Sequence, residues 1–318
     1  MGERTVNEKT VVITGANSGI GKAAAIKFAK EGYRVIMACR NIDLSREVQQ
    51  DIIRLTENEN VELMKLDVSS FQSIQNFCSQ LKERHQKLDI LINNAGHFDH
   101  GNKKYQLSPE NIEITFATNT FGPMLMIKLL IDMLSKSNDP RILNACSTNI
   151  RHFFDSKRKI EFDNLKGEFK DSRGYNSYKM YGDSKMALLM LTFKMAEGYK
   201  DLGIKVNAIQ IPAIKLSKRT LKNLKPGWRI AAVLENIFAQ LPETMGETYY
   251  HICTSEEFIN VTGRLINDRR EITQESNYPQ GLISEIKQLF DKKVYPKYAA
   301  KKDIIEKVWE FGNELIGI

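Results

Sequence analysis

The stretch TVVITGANSGIGKAAAIKFAKEG, residues 10–32, constrains this chain more than any other. An apolar run, TVVITG (10–15), reads as a buried strand, and GKAAAIKFAKEG (21–32) reads as a helix that stops at Gly32. Between them lie Gly15, Gly19 and Gly21, interleaved with Asn17, Ser18 and Ile20. Glycine lets a backbone turn tightly and approach a pyrophosphate, and a helix start offers free N–H groups and the positive end of a dipole. The spacing, Gly15-x3-Gly19-x-Gly21, differs from the better-known GxGxxG fingerprint. Its place, after a first strand and at the opening of a first helix, marks it as a phosphate loop.

The same alternation continues. YRVIMAC (33–39), a helix near 44–57, VELMKL (61–66), a helix near 71–85 and LDILIN (88–93) follow in turn. A long helix across 110–135, RILNAC (141–146), a helix after Tyr181 and IKVNAIQ (204–210) complete the series. Strands separated by helices predict an α/β fold: one Rossmann-type, doubly wound parallel sheet with helices on both faces. The expectation is a single nucleotide-binding domain over residues 1–318, with a substrate lid at about 213–245 and a helical C-terminal tail at about 283–318. Two segments break the rhythm. Residues 148–174 form a charged insertion, for which surface decoration and a functional loop weigh equally. Residues 213–245 carry Lys215, Lys218, Arg219, Lys222, Lys225 and Arg229, with Trp228, Ile230, Leu234 and Phe238 among them. A solvated helix face accounts for those cations better than an anion site, and core packing accounts for the apolar members as well as a lipophilic substrate does.

Composition removes several function classes. Lys and Arg total 46 against 39 Asp and Glu, a formal +7, but the excess is spread along the chain. With no arginine-rich arm, finger spacing or aromatic RNA-binding strand, nucleic acid is not an expected partner. Cys39, Cys78, Cys146 and Cys253 are far apart and His97, His100, His152 and His251 lack ligand spacing, so neither metal nor disulfide is expected. The polar start MGERTVNEKT has no signal-peptide core, and PMLMIKLLIDML (123–134) is short and charged for a membrane span. A reducing, cytoplasmic setting is the corresponding expectation.

The strand ends carry further candidates. ACRN (38–41) offers Arg40 and no carboxylate, which suits the 2′-phosphate of NADP better than the free ribose of NAD. Asp67, with Val68 after it, ends the third strand, where a carboxylate can accept the adenine amino group. Asn94, Ala95 and Gly96 in NNAG end the fourth, and the small pair lets a flat cofactor lie against the backbone.

YNSYKMYGDSK (175–185) holds a tyrosine four residues before a lysine twice over. Tyr175 and Tyr181 are six residues apart, about 240° around a helix, so they cannot face one ligand together. From Tyr181 the stripe runs through Lys185, Leu188, Leu189 and Thr192, a face that can pack on the sheet, whereas Tyr175 follows a charged loop. An ammonium one turn from Tyr181 is expected to favour the phenolate and draw its pKa toward neutrality.

Taken together, TGANSGIG, Asp67, NNAG, Asn119 in FATNTFG, Ser147 in RILNACST and Tyr181-GDS-Lys185 resemble the short-chain dehydrogenase/reductases, in order, over residues 10 to about 214. ACRN, the long insertion and the tail VWEFGNELIGI (308–318) resemble the retinol-dehydrogenase-like branch. The resemblance implies Tyr181 as general acid/base, Lys185 also holding the nicotinamide ribose, Ser147 on the substrate oxygen and Asn119 supporting a water. It also implies a nucleotide contact from Ile214 after Pro212, although Ala213 replaces the family's usual glycine, and a dimer or tetramer, for which the apolar helix 123–134 offers a face. Ser147 and Tyr181 are 34 residues apart, so the insertion must loop out for them to meet; Thr148 is a substitute hydroxyl and Cys146 a buried strand residue. The reading is an NADP(H)-dependent oxidoreductase acting on a lipophilic alcohol/carbonyl pair. The alternatives are a non-catalytic NADP-binding sensor or scaffold and, more remotely, an epimerase or dehydratase.

Overall fold

The computed structural model describes residues 9–99, 104–166, 174–216, 239–279 and 281–317, with positions 221, 229, 233 and 236. Strands β1 (Thr10–Thr14), β2 (Arg34–Cys39), β3 (Val61–Lys65), β4 (Ile90–Asn93), β5 (Arg141–Ser147), β6 (Lys205–Ile211) and β7 (Leu265–Ile266) form one sheet in the order β3-β2-β1-β4-β5-β6-β7. Every pairing is parallel. Alternate residues divide between the faces: Val12, Ile36, Leu91, Ile142 and Val206 on one side, Val11, Ile13, Val35, Ile92 and Leu143 on the other. Both faces are covered, which is why the strands read as unbroken apolar runs. The order reverses between β1 and β4, opening a crevice at their C-terminal ends.

Helices α1 (Gly19–Lys30), α2 (Ile42–Thr56) and α7 (Pro242–Thr254) cover one face; α3 (Phe71–Arg84), α5 (Gly122–Leu134), α6 (Ser177–Gly198) and α9 (Lys302–Ile316) cover the other. Their starts follow local chemistry. Asn41 caps α2 through the N–H of Leu44 at 3.0 Å, and Ser70 caps α3 through Ser73. Helix α3 buries Phe71, Ile74, Phe77, Cys78 and Leu81 along one stripe, each large apolar side chain contributing about 1.5–3 kcal/mol as an upper bound.

The expected single helix across 110–135 is interrupted. After α4 (Ile114–Phe116), capped by Glu113, the chain makes one π turn at Ala117–Phe121 before α5 begins. Gly122 fits there because a Cβ would stand 2.1 Å from the carbonyl oxygen of Val68. The stretch Ile114–Leu134 is long and apolar enough to cross a membrane by length and composition, but 72% of its 18-residue apolar window is buried inside the fold. Helix α9 packs beside this segment: Gly312 lies against Met124, Phe311 meets Phe121 at 5.8 Å, and Lys128 Nζ donates to Asn313 at 2.6 Å.

The insertion after β5 is more than decoration. A 3₁₀ helix, Thr148–Phe154, and a second turn, Phe162–Asn164, bury Ile150, Phe153, Ile160 and Leu165 in the main core. Residues 167–173 lie outside the described residues. In the expected lid, Ile214 bridges to Gln240, and Lys215 is exposed. Lys218, Arg219, Lys222, Lys225, Trp228, Ile230, Leu234 and Phe238 lie outside the described residues. The tail holds α8 (Leu282–Phe290), a short pair of β8 (Gln274–Glu275) with β9 (Val294–Tyr295), and α9.

Candidate active site

The crevice between β1 and β4 is tied by side chains before any ligand is considered. Thr14 Oγ1 accepts from the N–H groups of Asn94 and Ala95 at 2.9 and 2.8 Å, and Asn94 Nδ2 donates to Thr14 O at 3.0 Å. Tyr249 of α7 donates to Asn94 Oδ1 at 3.2 Å. Gly15 adopts φ +66°, and a Cβ on Gly21 would stand 2.3 Å from the Gly15 carbonyl oxygen. The loop therefore closes onto α1 only with glycine at 21. Gly19, at φ +51°, has nothing within 4 Å of where a Cβ would be, so its bare side is an open cradle at the helix start. Asn17 Nδ2 donates to Ser45 Oγ at 2.9 Å and holds the loop to α2, while Ser18 caps α1 by backbone alone. This arrangement fits a dinucleotide: N–H groups converge on an open, side-chain-free surface.

Arg40 is exposed just past β2. Asp67 commits Oδ1 to the N–H and hydroxyl of Ser69 at 3.0 and 2.7 Å, and Val68 is buried beside the start of α5. Farther along, a cavity of about 790 Å³ takes in Ile20, Asn94 and Gly96 on the nucleotide side, Ser147, Tyr181 and Lys185 at its centre, and Pro212, Ile214 and Leu216 beyond.

Ser147 and Tyr181 come together despite the insertion: both line this cavity, and the Ser147 hydroxyl is near enough to draw the phenol's pKa down. Ser147 Oγ also accepts from the N–H of Asn149 at 3.2 Å. Lys185 is buried, its Nζ donating to Ala145 O at 2.7 Å and lying 5.8 Å from the Tyr181 ring centroid. Asn119 sits in the π turn, wholly buried. Its Oδ1 accepts from His97 N at 2.7 Å, and its Nδ2 donates to His97 O and Ser184 Oγ, both at 3.0 Å. What this amide does is clamp the peptide that follows NNAG to α6. Gly96 sits between them, with its would-be Cβ 3.4 Å from Asn119 Oδ1 and 3.6 Å from Lys185 Nζ.

The second tyrosine–lysine pair is used structurally. Tyr175 precedes α6, donates to Glu113 Oε1 at 2.8 Å and packs on Tyr105, while Lys179 pairs with Glu161. Sequence reasoning missed Phe98, which stacks on Tyr181 with centroids 4.5 Å apart and planes 14° from parallel. It also missed Arg151, Tyr178 and Leu289, which line the same cavity. No local motif announces them. His152, expected to be a surface residue, is exposed but stands at the cavity, 3.3 Å from the Tyr178 hydroxyl; His100 lies outside the described residues.

The expected acidification of Tyr181 by Lys185 is corrected. Burial pushes the phenol up to about 12, opposed by the Ser147 hydrogen bond, and the same burial pushes Lys185 down to about 8. The Tyr181 ring is only half-buried beside the open cavity, so solvent there softens the shift without reversing its sign. Cys146 is fully enclosed, pushed up to about 12 by burial, and inert as a nucleophile. Among the described residues no three His, Cys, Asp or Glu side chains are grouped to hold a metal ion.

Comparison with known proteins agrees with this construction. The family model of the short chain dehydrogenases matches residues 9–154. Human (Homo sapiens) retinol dehydrogenase 13 is 30% identical over 272 residues, covering 84% of this chain and 78% of that protein. Mouse (Mus musculus) retinol dehydrogenase 12 is 30% identical over 312 residues, covering 98% and 87%. The Pseudomonas aeruginosa RhlG/NADP active-site complex superposes with a TM-score of 0.62 at 23% identity, covering 81% of this chain and 94% of that one, a likeness of fold. The chain belongs to the short-chain dehydrogenases, in their retinol-dehydrogenase-like branch, and is an NAD(P)-dependent oxidoreductase acting on CH–OH groups.

Proposed function

We propose that this protein interconverts a lipophilic alcohol and its carbonyl with NADP(H), and that Tyr181 is the general acid/base. One observation carries the reading: the hydroxyls of Ser147 and Tyr181 meet on a cavity whose other end is the phosphate loop. Gly15, Asn17, Ser18, Gly19, Ile20 and Gly21 would hold the pyrophosphate side, Arg40 a 2′-phosphate, and Asp67 with Val68 the adenine. Asn94, Ala95, Gly96, Pro212 and Ile214 would line the nicotinamide end. The nicotinamide, when bound, supplies or accepts the hydride.

The chain's own residues handle the proton. In reduction, Tyr181 Oη gives a proton to the carbonyl oxygen while Ser147 donates a hydrogen bond to the same atom and stabilises its developing charge. A phenol pushed up to about 12 is held protonated at neutral pH, the form that donates in the reduction. Asn119 keeps the NNAG turn against α6, and Lys185, beneath it, presents its charge to the ribose side. Phe98, Ile214, Leu216 and Leu289 give an apolar wall, in keeping with relatives named for retinol.

Incubating the protein with NADPH and a panel of apolar aldehydes and ketones, with absorbance as readout, is the test. Oxidation that disappears in Tyr181→Phe, with the variant still binding NADPH by calorimetry, is the expected result. Tight nucleotide binding with no turnover of any carbonyl would move the protein to the sensor class. A preference for NADH over NADPH would overturn the role of Arg40.

A further inference from the structure

Arg151 stands on the wall that the catalytic cavity shares with a second one. The two, about 790 and 430 Å³, have Arg151, His152, Tyr178 and Leu289 in common. The Arg151 side chain is 7% exposed and its five N–H donors are poorly matched. Nη1 donates to Leu289 O at 2.8 Å and Nη2 to Gln210 Oε1 at 3.1 Å, both neutral acceptors. Its Nε has no acceptor, nor does Nε2 of the buried Gln210 beside it. Among the described residues the catalytic cavity has no carboxylate in its lining, whereas Asp155 and Glu285 line the second.

No carboxylate among the described residues is within ion-pair distance of Arg151. Asp291 and Asp268 act on it only from farther away, and Asp268 is itself paired with Lys292 at 2.8 Å. Burial accordingly pulls the guanidinium below its ordinary range. In the second cavity Arg158 is matched by Asp183 at 2.6 Å and Lys179 by Glu161, whereas Lys185 in the catalytic cavity, like Arg151, has only a neutral acceptor. An enclosed charge without a counterion is costly, and a staple between α8 and β6 would need only a neutral amide at 151.

We propose that Arg151 receives the anionic end of the substrate, so that the enzyme acts on carboxylic acids carrying an oxo or hydroxyl group on an apolar chain. This rests on the catalytic reading above and narrows its substrate class. One uncompensated guanidinium matches one negative charge, hence a carboxylate rather than a phosphate dianion. Arg151 lies four residues beyond Ser147, on a 3₁₀ helix, roughly 8 Å at about 2 Å per residue. The carboxylate is therefore several bonds removed from the reacting carbon, with the chain between them against Tyr178 and Leu289.

The test pairs medium-chain aliphatic oxo acids, the oxo group several carbons from the carboxylate, with their methyl esters under NADPH. The wild type should favour the acids by roughly tenfold to a hundredfold in kcat/KM, carried by KM, the range of a charge-assisted hydrogen bond. Arg151→Gln should bring that ratio to near one, and Arg151→Lys should keep part of it. Equal use of acids and esters by the wild type, or the same ratio in Arg151→Gln, would overturn the proposal and leave Arg151 a structural staple. Benzaldehyde serves as a neutral control: if neither it nor any acid is reduced, the catalytic reading has failed instead. Where Arg151→Gln does not fold, equilibrium dialysis of decanoate against decanol on the NADP-loaded wild type decides, with decanoate expected to bind more tightly and equal binding counting against.

Discussion

The two ends of the crevice are built by opposite means. At the nucleotide end the surface is backbone: Gly21 leaves no room for a Cβ, Gly15 turns at φ +66°, Gly19 stands bare, and Thr14 and Asn94 lace two strand ends together. At the substrate end the surface is side chains brought from far apart, with Phe98 on Tyr181, Arg151 under Leu289, and Arg151 on Gln210. A backbone cradle recognises what all dinucleotides share, a pyrophosphate. A side-chain wall can be rebuilt for a new substrate without disturbing the sheet. One fold thus keeps its cofactor chemistry while its specificity varies.

That contrast can be broken by experiment. The largest effect belongs to the proton donor at the junction: Tyr181→Phe should lower kcat/KM by about a thousandfold, while nucleotide affinity, read by calorimetry, changes far less. A loss below tenfold would mean that the two ends do not meet at this phenol. Next comes the cradle. In Gly21→Ala the new methyl meets the Gly15 carbonyl at 2.3 Å, so nucleotide affinity should fall about a hundredfold and the melting temperature should drop, the strain being about 1–3 kcal/mol. Unchanged binding in this variant would show the loop to be softer than its contacts imply.

A smaller effect sits beneath the junction. Lys185 titrates at about 8 in the fold, against 10.5 for an ordinary lysine. Between those values the unfolded chain holds more protons, so stability rises with pH; below 8 both states are charged and the full cost of burying the ammonium remains. Denaturant unfolding should show wild-type stability gaining about 2 kcal/mol over this window relative to Lys185→Met. The comparison belongs below pH 10, because Tyr181, raised to about 12 in the fold, pulls the other way above it. A flat difference would show that the ammonium is solvated. Smallest is Arg40→Ala, expected to raise KM for NADPH about tenfold and leave that for NADH little altered; equal changes for both would remove the phosphate role.

Much of the sheet was legible because a strand buried on both faces must be apolar throughout, and a helix beside it must repeat near every fourth residue. TVVITG and RILNAC needed no more than that. The break in the helix across 110–135 was not legible, because the π turn at Ala117–Phe121 goes with contacts that Asn119 makes to His97 and Glu113 to Tyr175, far along the chain. The insertion looked polar, yet Ile150, Phe153 and Ile160 are core residues, since a few apolar side chains suffice to pin a charged loop. The contact of α5 with α9 was hidden for a similar reason: α9 lies almost two hundred residues along the chain, as the Lys128–Asn313 contact shows. The tyrosine choice came from helical spacing; the direction of its pKa could not, because burial, a property of the whole fold, sets it.

By itself, then, the order of residues determined a parallel sheet, the glycine cradle at its first turn, and the tyrosine–lysine pair on the buried stripe of α6. These follow from rules acting over a few neighbouring residues. Only the tertiary structure decided that Ser147 reaches Tyr181 across 34 residues, that Phe98 caps the phenol, and that Arg151 is enclosed without a counterion. Burial, dielectric and the company of distant side chains are properties of the packed molecule, and no local pattern carries them.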